Sequence, residues 1–168
     1  YNDEVTISKD AEIAVSGEGK AKSLKLGANK NASVSGGMLY IGSSVTTEDN
    51  SQLTLASTLR NNESLITKNG LGVLSVTGDN AQLLRGGWNL ERGITEFTTP
   101  ESVGQAENAS ETSAIAVSNC TFRYAGEEEL TLMKPLKLTG ELPAILDIVG
   151  DLTFNDFKVS YGQDDGGI

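Results

Sequence analysis

The chain has 168 residues, a formal net charge of −10 at pH 7 and no histidine. An acidic surface repels phosphate backbones, which argues against nucleic acid as a partner. Without histidine, serine and cysteine triads lack their base and zinc sites lack a usual ligand, so we expect neither a cofactor nor a metal.

Short segments of alternating apolar and polar residues follow one another from the start of the chain. The first are EVTIS (4–8), AEIAVSG (11–17), AKSLKLG (21–27), ASVSGGMLYIG (32–42) and SQLTLAS (51–57). Each places apolar side chains on one face of a strand, and Gly, Asn or Asp stands near most breaks. With aromatic residues at only 5%, we expect Val, Ile and Leu to build the core. The pattern predicts an all-β protein.

Residues 64–97, SLITKNGLGVLSVTGDNAQLLRGGWNLERGITEF, restart the alternation three times, with glycines between the segments. Residues 98–112, TTPESVGQAENASET, are polar and without periodicity, so they are predicted to form a surface loop. Alternation then resumes in SAIAVSNCTFRY (113–124), ELTLMKPLKLTG (129–140) and AILDIVGDLTFNDFKVSYG (144–162). The single cysteine, Cys120, lies in this last part and is expected to be a buried, inert thiol.

The spacing of the segments suits a sandwich, a barrel or a β-solenoid. Several breaks are too irregular for a run of two-residue hairpin turns. Matching apolar pairs such as VTIS, IAVS, LTLA and LSVT recur, and one inward pair per strand is what stacked coils need to bury a continuous core. We therefore predict a parallel β-solenoid, with an antiparallel β-sandwich as the alternative; strand direction distinguishes the two.

Residues 65–97 resemble the passenger-associated repeat of bacterial autotransporter proteins. The repeat opens with an apolar residue, here Leu65 or Ile66, and later carries an inward residue at Leu90. The other matching positions are Lys68, Gly70, Gly72, Leu74, Val76, Gly78, Asn80, Gly86, Gly87 and Gly93. The tyrosine usual after the asparagine is missing, and Trp88 stands where a threonine is common.

This resemblance implies a right-handed parallel β-helix, secreted or displayed on the bacterial cell surface. In the family the repeat helps to build and export the passenger stalk and is not a catalytic centre. The family's outer-membrane barrel is not in this chain, so the resemblance implies that residues 1–168 are a single solenoid segment of a larger exported protein. We expect the corners between strands at Asn69, Gly70, Gly72, Gly78, Asn80, Gly86, Gly87 and Gly93.

Chemistry-bearing residues are few. The acidic runs at 127–129 and 164–165 are expected to be solvated loop charges rather than a catalytic pair or a calcium site. Trp88, with Arg92 four residues on, is a possible glycan contact, although a tryptophan that fills or caps the core is the favoured interpretation. We therefore expect a non-enzymatic stalk or adhesive passenger that presents loops to a glycan or protein. The alternative is a carbohydrate-binding or polysaccharide-degrading β-domain.

Overall fold

The computed structural model describes residues 3–61, 63–104, 113–140, 142–154 and 160–161. Every strand pair within these ranges is parallel. Neighbours in a sheet come from successive passages of the chain, so the strands stack as a β-solenoid. The predicted solenoid is confirmed, and the antiparallel sandwich is wrong because a sandwich requires antiparallel neighbours.

The first sheet runs the length of the stack. In spatial order it contains β1 (Glu4–Ile7), β3 (Glu18–Leu26), β5 (Met38–Thr47), β8 (Ile66–Asn69), β10 (Trp88–Leu90), β12 (Ile115–Ser118), β15 (Leu136–Thr139) and β18 (Ser160–Tyr161). β3 and β5 are long, and their pairing shifts register between Ala21 and Ser23. This irregularity divides each of the two strands between two faces of the solenoid.

The second sheet has seven strands. Along the stack they are β2 (Ala11–Ala14), β4 (Asn31–Ser35), β6 (Gln52–Leu55), β9 (Val73–Val76), β11 (Ile94–Phe97), β13 (Thr121–Tyr124) and β16 (Ile145–Ile148). Ala11 pairs with Ala32, Ala32 with Leu53, Leu53 with Leu74 and Leu74 with Thr95, a constant step of 21 residues. Thr95 then pairs with Phe122, a step of 27. The coil from Thr95 to Phe122, called the wide coil below, therefore contains more residues than the coils before it.

A third face closes the coil. In the first coils it consists of the amino-terminal parts of β3 and β5 with β7 (Thr58–Arg60), which pairs with Met38 to Tyr40. Further along, residues 77–87 contain no strand, and residues 100–103 form a 3-10 turn. The strand pair β14 (Leu130–Leu132) and β17 (Leu152–Phe154) follows. Of the predicted loop 98–112, residues 105–112 lie outside the described residues.

The core changes composition along the stack. In the first coils it is aliphatic, as expected from the alternating pairs Leu24 and Leu26, and Leu53 and Leu55. From the wide coil onward it also contains large rings, all fully buried: Trp88, Phe97, Phe122 and Tyr124. The expectation of an aliphatic core therefore holds for the first coils and is incomplete for this part, where four of the scarce aromatic residues join the aliphatic ones.

Candidate functional site

Trp88 lies in the core. Its side chain is 0% exposed, its ring meets that of Phe97 edge-on with centroids 5.6 Å apart, and its indole nitrogen donates to the Val103 carbonyl at 3.4 Å. The indole therefore offers no face to a sugar, and the glycan contact considered for Trp88 has no surface to act through. Arg92 is exposed at the turn between β10 and β11.

The glycines expected at corners lie at turns or against neighbouring coils. Gly70 (φ 80°) and Gly93 (φ 71°) adopt the left-handed conformation that favours glycine. The remaining four lie where an added Cβ would collide with backbone atoms of an adjacent coil: Gly72, Gly78, Gly86 and Gly87. These positions demand glycine for close packing, and none of them carries chemistry.

The two asparagines expected at corners have different surroundings. Asn69 is half-buried, and its amide donates to the Glu91 carboxylate at 3.0 Å. Asn80 is fully buried; its Oδ1 accepts from the Leu59 amide at 2.6 Å, and its Nδ2 donates to the Ser102 carbonyl at 2.8 Å. Asn80 thus connects the coil before it to the coil after it, as a strand would.

Lys68, one of the motif positions, is a fully buried cation. Its ammonium donates to the carbonyls of Asn69 and Gly70 at 2.9 Å and of Arg92 at 3.0 Å. Burial lowers the pKa of Lys68 to about 8, and nearby Cys120 offsets part of that effect. The three carbonyls belong to two successive coils of the solenoid, so the ammonium connects those coils.

Cys120 is buried, as expected, and its thiol donates to the Leu90 carbonyl at 3.0 Å. Burial raises the pKa of Cys120, and Glu91 adds to the rise, whereas Lys68 and a backbone bond at Ser118 oppose it. A thiol that is buried and held neutral is a poor nucleophile, because the thiolate is the reactive form.

Lys134 is a second fully buried cation, which the sequence analysis did not single out. Its ammonium donates to the carbonyls of Leu84 and Gly86, 50 and 48 residues earlier in the chain. Burial lowers the pKa of Lys134 to about 8. The lysine therefore reaches past the wide coil and joins segments that no strand pairing connects directly.

Two acidic side chains of the described residues share an arginine. Arg123 lies between two carboxylates on the outer face of the second sheet, with Nε 2.8 Å from Asp147 and Nη1 3.5 Å from Glu96. These contacts, the Asp147 hydrogen bond foremost, raise the pKa of Arg123. Residues 127–129 are exposed, and 164–165 lie outside the described residues. No three His, Cys, Asp or Glu side chains in the described ranges could together hold a metal ion.

A cleft of about 450 Å³ opens on the third face, where β7 ends. Arg60, Asn61 and Glu63 line one side, and Leu83 and Arg85 line the other. Asn61 fixes the geometry, since its Oδ1 accepts from the Gly86 amide at 2.8 Å and its Nδ2 donates to the Ser64 carbonyl at 2.6 Å. This cleft brings two exposed guanidinium groups together, although no motif in the sequence marks it.

Fold and geometry define the class of protein, a parallel β-solenoid with buried polar connections between its coils. Comparisons with protein-family models, with curated proteins and with solved structures found no match to this chain. Within the described ranges, no helix has the length and apolar character needed to cross a bilayer.

Proposed function

We propose that the chain is a non-enzymatic segment of an exported bacterial surface protein, secreted or held at the cell surface. In this role it acts as a stalk or adhesive passenger that presents one face to a glycan or protein. The observation that carries the proposal is the hydrophobic core, which continues from Ile7 to Leu136 through the stacked coils.

Such a core suits a spacer. Each coil packs mainly on its neighbours, and the stack buries what a single coil cannot. With strands about 4.8 Å apart, the seven strands of the second sheet extend roughly 30 Å along the axis. Lys68, Asn80 and Lys134 add connections along the same axis, which opposes bending between coils.

The motif in residues 65–97 supports export and surface display, because it resembles the autotransporter passenger repeat. The alternative, a polysaccharide-degrading domain, needs two carboxylates roughly 5 to 10 Å apart that are available to substrate. Glu96 and Asp147 share an arginine and Glu96 also accepts a hydrogen bond from Ser75, an arrangement that favours a structural role for both carboxylates.

Display can be tested on intact cells of the source bacterium with antibodies raised against the purified chain. Labelling of unpermeabilised cells, with a periplasmic marker remaining unlabelled, is the expected result. Labelling only after permeabilisation would contradict the proposal.

A second experiment tests the enzymatic alternative. Incubation of the purified chain with a panel of acidic and neutral polysaccharides should release no new reducing ends. Release of reducing ends that Glu96→Gln abolishes would establish the enzymatic alternative.

A further inference from the structure

On the third face, three outward side chains line up along the solenoid axis. The parallel register pairs Lys20 with Tyr40 and Tyr40 with Arg60, while the inward positions beside them are the buried Leu39 and Leu59. Lys20 and Arg60 are exposed and Tyr40 is half-buried. We call these three residues, with Arg85 across the cleft, the basic column. A chain-like ligand lying along the axis would meet each of its members in turn.

The end of the basic column is also its most cationic point. Arg60 and Arg85 both line the 450 Å³ cleft, and neither forms an ion pair with a carboxylate of the described residues. Glu63 lines the same cleft and Glu18 pairs with Lys20 at 3.0 Å, so the basic column and these two carboxylates together carry a net charge of about +1. The whole chain carries −10, so the basic column is a local concentration of positive charge on an acidic protein.

The chemistry of the column fits one class of ligand. Guanidinium groups bind carboxylates and sulfates through paired N–H donors. Tyrosine joins an apolar ring to a hydroxyl group, and therefore suits a ligand with both C–H and hydroxyl surfaces. Leu83 gives the cleft a further apolar contact, and Glu63 can accept a hydrogen bond from a hydroxyl.

We propose that the basic column binds an acidic polysaccharide along the solenoid axis, with Arg60 and Arg85 holding an anionic group in the cleft. Tyr40 and Lys20 contact the neighbouring sugars. This inference rests on the proposed presentation function and names its ligand class. Carboxylate-bearing and sulfate-bearing sugars share the chemistry that the cleft recognises, and the experiment separates them.

The test measures binding of the purified chain by calorimetry to two matched pairs of probes. Oligogalacturonate is compared with its methyl ester, and dextran sulfate with dextran, so that only the anionic group differs within a pair. We expect binding to at least one anionic member, weakened by salt, and none to its neutral partner. Poly-glutamate serves as an anion without sugar and should bind at least about tenfold more weakly.

The variant Arg60→Gln/Arg85→Gln should weaken binding at least about tenfold, because it removes charge-assisted hydrogen bonds. Tyr40→Ala should weaken it by a smaller factor. Lys9→Gln is the control, an exposed cation at the turn between β1 and β2, and should bind as the parent does. Far-ultraviolet circular dichroism and the emission of buried Trp88 verify folding of each variant.

Failure of the parent chain to bind either anionic probe would overturn the inference, as would undiminished binding by the double arginine variant. Equal binding of poly-glutamate would show that the cleft recognises charge without sugar, and would overturn the polysaccharide assignment. The outcome of the cell-surface labelling experiment does not depend on any of these binding results. Failure of the ligand assignment is therefore distinguishable from failure of the display proposal.

Discussion

Between Ala11 and Thr95 the second sheet advances by 21 residues per coil, whereas the next coil, from Thr95 to Phe122, takes 27. In the first coils the third face consists of paired strands, ending with β7. From the coil between Leu74 and Thr95 onward this face loses its strands: residues 77–87 contain no strand, and residues 100–103 form a 3-10 turn. The first two sheets stay in parallel register across the change.

The two regions hold their coils together by different means. In the regular coils a backbone ladder supplies the hydrogen bonds of the third face, and small aliphatic pairs fill the interior. In the irregular coils single side chains supply those bonds, chiefly Asn80 and Lys134, and the aromatic rings fill the wider interior. A solenoid can therefore lose the strands of one face locally if buried polar side chains form hydrogen bonds with the backbone groups that no longer have a strand partner.

The largest effect should come from the ring that fills the wide coil. Trp88→Ala is expected to lower the free energy of unfolding by about 4 kcal/mol, because it removes a fully buried indole and leaves a cavity beside Phe97. Urea unfolding followed by far-ultraviolet circular dichroism measures the loss. Leu71→Ala, at a side chain that is 63% exposed, is the control and should change stability by at most about 0.5 kcal/mol.

A loss below about 1 kcal/mol for Trp88→Ala would mean that the coil collapses around the vacant space. The wide coil would then not depend on its aromatic filling. The difference between the aliphatic and the aromatic region of the core would in that case have no measurable effect on the free energy of unfolding.

The second prediction compares two asparagines. Asn80→Ala should destabilise the chain by about 3 kcal/mol, because it leaves the Leu59 amide and the Ser102 carbonyl in the core without the hydrogen bonds that Asn80 provides. Asn69→Ala is the matched control and should cost less than about 1 kcal/mol, since Asn69 is only half-buried. Urea unfolding monitored by Trp88 fluorescence measures both. Equal losses would show that Asn80 does not replace a strand.

The regular coils could be predicted from sequence because their signal is local. Pairs such as Leu53 and Leu55 recur with one inward face per strand, and glycines such as Gly70 mark the breaks, so that parallel stacking followed from the pattern. The aromatic core could not be predicted from composition, which counts rings without placing them. Phe97 and Phe122 lie in different segments and meet only because the coil between them is closed.

The contacts of Lys134 and of the basic column depend on coil length, which no single segment reveals. Lys134 finds its carbonyl partners 48 and 50 residues away. Lys20, Tyr40 and Arg60 stand 20 residues apart in sequence, a regular signal that has meaning only once the coil length is known. The motif position Lys68 was visible in sequence, but its burial was not, because a lysine on an alternating strand is ordinarily an exposed residue.

The smallest effect concerns the two buried lysines, one in each region. Burial lowers the pKa of both Lys68 and Lys134 to about 8, whereas in the unfolded chain lysine keeps its proton to about 10.4. Between those values the unfolded state binds more protons, so the free energy of unfolding should rise with pH. We expect a gain of about 1 kcal/mol per lysine between pH 7 and pH 9.

The measurement is urea unfolding at both pH values in a Cys120→Ala background, since ionisation of that thiol would oppose the gain near pH 9. Lys68→Met and Lys134→Met should each remove about half of the rise, and the double variant should show none. Lys25→Met, at an exposed lysine paired with Glu48, is the control and should keep the rise intact. If only one of the two variants changes the pH dependence, then only that lysine is held as a buried cation, and the regular and irregular coils differ in this respect as well.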